Sequence, residues 1–138
     1  MGASTDRLLV VRPGAGKRSG DVEFLATSDD TPRLNVCTIL IDPWSKGVPP
    51  HEHAGEDDAF YVLEGEVTFD GDDGAFVASA GTFVLARPGV AHGFHNHTGA
   101  YARLLNIHAP AGFDVRFLAD RAGPDGDDGD SETGTVSR

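Results

Sequence analysis

Cysteine, basic residues and long apolar runs are all scarce in this chain, and each scarcity excludes something. The 138 residues include one cysteine, Cys37. No disulfide can form within the chain, so nothing indicates an oxidising compartment. Lys and Arg number 11 against 22 Asp and Glu, for a formal net charge of −11. That balance opposes phosphate backbones and anionic membranes, both of which are held by Lys and Arg. Neither nucleic acid nor a membrane is therefore an expected partner. No stretch approaches membrane-spanning length. The start, MGASTDRLLVVRPG, has only a short apolar stretch interrupted by Arg and Pro, unlike a secretory signal. The expected location is the cytoplasm.

What is present is glycine (18) and proline (8), scattered between short apolar runs. That pattern suits an all-β protein with many turns. DRLLVVRP (Asp6 to Pro13), VEFLA (Val22 to Ala26) and RLNVCTILID (Arg33 to Asp42) read as strands. GAGKRSGD (Gly14 to Asp21) and PWSKGVPP (Pro43 to Pro50) read as loops. Six short punctuated runs follow, from DAFYVLEG to YARLLNIHAP, which is the spacing of a sandwich or barrel. FDVRFLADRA (Phe113 to Ala122) reads equally as a last strand or a short helix. Residues 1–122 are expected to form one domain. Residues 123–138 have almost no apolar side chains and carry five acids from Pro124 onward, so a flexible acidic tail is expected.

The residues that carry chemistry lie in GVPPHEHAGEDDAFYVLEG (Gly47 to Gly65) and RPGVAHGFHN (Arg87 to Asn96). His51 and His53 share a face if PHEH is extended, because alternate side chains of a strand do. Asp58, Phe60 and Val62 share a face of the next strand, and His92 pairs likewise with Phe94. A barrel interior collecting His51, His53, Asp58 and His92 offers three imidazole nitrogens and a carboxylate. That set suits one divalent transition metal, Fe, Mn, Ni, Co or Zn, rather than Ca²⁺ or Mg²⁺. Asp58 is expected either to ligate directly or to orient a histidine. Glu56 and Asp57 are second choices for the carboxylate. His95 and His97 fall out of phase with His92 and read as surface residues. His108 is open, facing either the pocket or the outside. Phe60, Val62 and Phe94 are candidate pocket walls, with core packing as the competing role. GAGKRS fails as a phosphate loop, since Val11 and Arg18 stand where Gly and Ser or Thr are needed.

These residues also resemble a family, the cupin superfamily, and within it the small single-domain quercetin-dioxygenase-like type. Its first motif appears here as Gly47, His51, His53, Asp58 and Gly65. Its second appears as Gly81, Pro88, Gly89, His92 and Asn96. The resemblance runs from about Val22 to Leu118. Asp58 stands where the family usually has Glu, the spacer from Gly47 to His51 is short, and Arg87 replaces a usual Pro. The resemblance implies a jelly-roll β-barrel, the double-stranded β-helix. It also implies a homodimer in which the segment from Asp6 to Ala26 pairs with the partner's sheet.

The expected activity is that of a metal-dependent oxygenase acting on a small hydroxylated aromatic or polyketide-like compound, with Asp58 as general base. One alternative keeps the metal without redox chemistry, as an isomerase, cyclase or lyase. The other is a small-molecule-binding protein without catalysis.

Overall fold

The computed structural model describes residues 3–4 and 8–121. The acidic tail expected over 123–138 and the start of the first expected strand lie outside those residues. The elements are β1 (Ala3–Ser4), β2 (Leu9–Val10), β3 (Lys17–Ser19), β4 (Val22–Ala26), β5 (Asn35–Ile41), β6 (Val48–His51), β7 (Asp57–Glu64), β8 (Glu66–Gly71), β9 (Gly74–Ser79), β10 (Phe83–Ala86), β11 (His92–His95), β12 (Ala102–Ala109) and α1 (Phe113–Arg121). The larger sheet has the order β10-β7-β12-β5-β4-β3, and the smaller has β6-β11-β8-β9. The fold is the expected all-β jelly roll of two facing antiparallel sheets.

Period-two burial explains most of it. On β5, β7 and β12 the buried residues alternate, as Asn35, Cys37, Ile39 and Ile41; Asp58, Phe60 and Val62; and Ala102, Leu104, Asn106 and His108. Strand register then lines them up in rows across the larger sheet. Ile39, Leu104 and Val62 form one row, Cys37, Asn106 and Phe60 the next, and Asn35, His108 and Asp58 the last. The interior thus turns from apolar to polar along the strands. The smaller sheet repeats the gradient: Val48, Phe94 and Phe69 share a row, and His51 pairs with His92 beyond them. Phe60 closes the two sheets together, 5.3 Å from Phe69 and 5.7 Å from Phe94 between ring centres.

β6 reaches β11 only because two glycines stand at the crossing. A Cβ on Gly93 would lie 2.5 Å from the Val48 carbonyl oxygen, and one on Gly47 would collide with that of Phe94. β6 also contains Pro49 and Pro50, inside the stretch expected to be a loop. It is an edge strand, where a missing N–H leaves no gap in the ladder. Asn96 is fully buried and holds the following turn: its Nδ2 donates to the Asp42 and Ala100 carbonyls at 3.0 and 2.8 Å, and its Oδ1 accepts from the Thr98 backbone N–H at 3.0 Å.

Two expectations change. Lys17–Ser19, expected as loop, is an edge strand on β4, where charged residues need no buried face. Among the described residues of the strand expected over Asp6 to Pro13, only Leu9–Val10 is strand, both exposed. Val22–Ala26 pairs with β5 of its own chain.

The ambiguous segment after β12 is the helix α1. Phe113 and Phe117, four residues apart, share one buried face and pack on Phe24 at 6.1 and 5.8 Å. Its first turn is capped from β5: Asn35 Oδ1 accepts from the N–H groups of Gly112 and Asp114 at 3.0 and 3.1 Å. Asp114 in turn accepts from the Ser28 N–H at 2.9 Å, which helps hold its carboxyl below the usual range against the opposing effect of burial. Among the described residues, no helix is long and apolar enough to cross a membrane.

Candidate metal centre

The polar end of the interior gathers His51 from β6, His53 from the loop after it, Asp58 from β7 and His92 from β11. One ligand atom from each lies within 4.8 Å of the others. Ring centres are 4.6 Å apart for His51 and His92, 4.8 Å for His51 and His53, and 5.4 Å for His53 and His92.

Two of these imidazoles have their tautomer fixed by the backbone. His51 Nδ1 is 2.9 Å from the Pro49 carbonyl, and His92 Nδ1 is 2.8 Å from that of Val90. A carbonyl only accepts, so both Nδ1 atoms carry the proton and both Nε2 atoms present a lone pair when the ring is neutral. His92 Nε2 then points at Asp58 Oδ2 across 2.8 Å. A nitrogen lone pair and a carboxylate oxygen at that distance repel unless a proton or a cation lies with them. This is the arrangement by which backbone carbonyls orient metal-bound histidines.

Asp58 is almost fully buried and heavily engaged. Asn106 Nδ2 donates to its Oδ1 at 2.7 Å and to the Ala59 carbonyl at 3.0 Å. His108 Nε2 lies 3.2 Å from Oδ1, and His53 Nε2 lies 3.4 Å from Oδ2. Burial by itself raises a carboxyl's pKa, but His108, His53 and His92 outweigh it and hold Asp58 well below the usual range. Burial lowers His92, yet the hydrogen bonds to Asp58 and Val90 leave it raised. His51 is lowered, first by burial and then by its neighbouring imidazoles despite its bond to Pro49.

Beside the donors lies a cavity walled by Ile39, Val48, Phe60, Phe94 and Phe113. Phe60 and Phe94 therefore border the site as well as the core. Val62 is fully buried two residues further along β7, in the apolar row, and does not border that cavity. His95 pairs with Asp70 at 2.9 Å, and exposed His97 stands edge-on to Trp44 at 5.5 Å, so neither joins the cluster.

Three residues beyond the expected set converge here. Asn106 and His108 follow Leu104 in the same alternation on β12, a signal present in the sequence once Leu104 is placed inside. His108 is 2% exposed, and its ring stacks on Phe113 at 4.1 Å and 9°. Glu56, in the loop before β7, is buried and takes Arg116 Nη2 on its Oε2 at 2.7 Å. Loop residues carry no period, so nothing in the sequence placed Glu56 inside.

Comparison with known proteins gives the family. A family model described as Cupin domain matches residues 38–108. Solved structures of similar fold include KdgF from Halomonas sp., at 19% identity with TM-score 0.60, over 72% of this chain and 87% of that one. Another is the polyketide cyclase RemF from Streptomyces resistomycificus, at 24% identity and TM-score 0.58, over 64% of this chain and 63% of that one. A predicted oxalate decarboxylase from Thermotoga maritima is similar at 21% identity and TM-score 0.57, over 64% and 78% respectively. Comparison with curated proteins gives no match.

Proposed function

Since the chain belongs to the cupin family, we propose that it is a metal-dependent cupin enzyme, an oxygenase acting on a small hydroxylated aromatic or polyketide-like compound. The observation that supports this most is the pair of histidines locked by backbone carbonyls with Nε2 turned inward beside a buried carboxylate. The donor set fits a transition ion: His51, His53 and His92 would supply nitrogen, and Asp58 oxygen. A bound redox-active ion would supply oxygen activation and would polarise a substrate oxygen.

The chain's own residues do the rest. Phe60, Phe94 and Phe113 give the cavity beside the donors an apolar wall, the kind of surface on which a flat ring packs. Asp58 is better suited to holding charge than to the general-base role expected from the sequence. A carboxylate held so far below its ordinary range is a weak base. Asn106 keeps it in place.

A non-redox cyclase or isomerase on the same centre is the second reading. Its support is that a site rich in imidazole suits zinc as well as iron, and that one similar fold is a polyketide cyclase.

The homodimer belongs to the same proposal. The outer face of the larger sheet is apolar where a monomer would be polar. Phe83 is 60% exposed opposite Tyr61 at 41%, with Leu63 and Leu85 beside them.

The test is the metal content of the purified protein beside a His53→Ala variant, followed by oxygen uptake with a panel of hydroxylated aromatics. Near-stoichiometric Fe, Mn, Ni or Co in the parent and its loss in the variant, with substrate-dependent uptake, support the oxygenase. Metal without uptake, but with turnover, selects the non-redox reading. A parent that binds no ion when metal is added removes both.

A further inference from the structure

Among the described residues, the buried side-chain atoms without a hydrogen-bond partner are His53 Nε2, Glu56 Oε1 and His108 Nδ1. A buried polar atom without a hydrogen bond is costly, and one ion near all three would satisfy them together. The three residues that own these atoms also form a second convergent group, with one ligand atom from each within 4.8 Å of the others. Their inventory, two imidazoles and one carboxylate, is a donor set that takes Fe(II) and similar ions while leaving coordination positions open.

We propose that His53, Glu56 and His108 form a second seat for a divalent transition metal, alternative to the seat of His51, His53, Asp58 and His92. This rests on the reading of the pocket as a metal centre. His53 is common to both sets, and one imidazole nitrogen has one lone pair, so the two seats take one ion between them.

The second seat takes its donors from the loop before β7 and from β12, and it is braced by α1, which lies beyond the matched residues 38–108. Arg116 holds Glu56 by Oε2, which leaves Oε1 for an ion. Phe113 lies flat on the His108 ring and sets its plane. Asp58 stands beside both seats and adds negative charge to each, 3.4 Å from His53 Nε2 and 3.2 Å from His108 Nε2. An ion moving between the seats would exchange the His51 and His92 ligands for Glu56 and His108, opening the side that faces Val48 and Phe94.

Cobalt(II) titration reads this directly, since its visible bands report the ligand set and its stoichiometry counts ions. The expected result is one Co²⁺ per chain in the parent. The His51→Ala/His92→Ala variant should still bind one, with shifted bands, and should lose it when Glu56→Gln is added. Circular dichroism confirms that each variant is folded, and His51→Gln alone serves if the double variant is not. If the folded double variant binds no Co²⁺ while the parent does, the second seat is overturned and the first stands. If the double variant binds with the parent's own bands and Glu56→Gln alone abolishes binding, the first seat is overturned and the second is the site.

Discussion

The two ends of the sandwich interior are made by the same strands and put to opposite uses. At one end the row Ile39, Leu104 and Val62 is wholly apolar and buried. Two rows along, the same three strands present Asn35, His108 and Asp58, equally buried and all polar. The first end gains its stability from area removed from water. The second must satisfy its polar atoms with one another, and it does so with backbone carbonyls, Asn106 and Arg116, leaving His53 Nε2, Glu56 Oε1 and His108 Nδ1 without a hydrogen bond. The difference teaches that one sheet geometry carries both jobs, with only the side chains at fixed register deciding which. Asn106, between the ends, belongs to both: it shares a row with Phe60 and Cys37, and it hydrogen-bonds Asp58.

The largest contrast should come from cutting one side chain at each end. Leu104→Ala removes a fully buried side chain from the apolar row and should cost about 2–5 kcal/mol in urea unfolding. Metal binding per folded molecule should be unchanged. His51→Ala, on a half-buried ring at the other end, should weaken metal binding while leaving the stability of the metal-free protein within about 1 kcal/mol. Equal stability losses from the two would end the division into a structural and a functional half.

Acidity should separate the ends next. Asp58 is lowered from 3.8, so it stabilises the fold above that pH, and the contribution is lost as pH falls through its lower folded value. His92 is raised from 6.5, so its contribution is full below 6.5 and is lost as pH rises through the higher folded value. Metal-free protein should therefore weaken in alkali above pH 6.5, as measured by thermal melting across pH. His92→Gln should flatten that alkaline limb. Leu104→Ala should lower the whole curve without changing its shape.

The smallest effect is expected outside both ends. Arg103 and Glu64 approach to only 3.9 Å, with Glu64 largely exposed and Arg103 partly so. Arg103→Ala should change stability by no more than about 0.5 kcal/mol, checked by urea midpoint. A larger loss would show that the outer face contributes to the fold through more than its apolar residues.

Much of this was legible beforehand, for reasons that differ by element. The short apolar runs and the punctuating glycines gave an all-β sandwich or barrel, because turn spacing is written directly in the chain, and the resemblance narrowed it to a jelly roll. The histidines of PHEH and the HGF segment were legible as donors because alternate side chains of a strand share a face. β3 and β6 were hidden because an edge strand needs neither an apolar face nor a full set of N–H groups. α1 was ambiguous because nine residues with buried phenylalanines at i and i+4 also fit a short strand. Glu56 was legible only as a second choice for the carboxylate, because its burial against Arg116, sixty residues later, has no local signal.

The sequence by itself therefore determined the family, the sheet-forming runs and the kinds of donor each strand carries, since these follow from local period and residue chemistry. Only the tertiary structure decided that His108 faces inward, that Glu56 joins the pocket, and that His51 and His92 present Nε2. Those outcomes depend on register between distant strands, on the seat of one helix, and on which backbone carbonyls happen to face a ring. None of these is fixed until the chain has closed on itself.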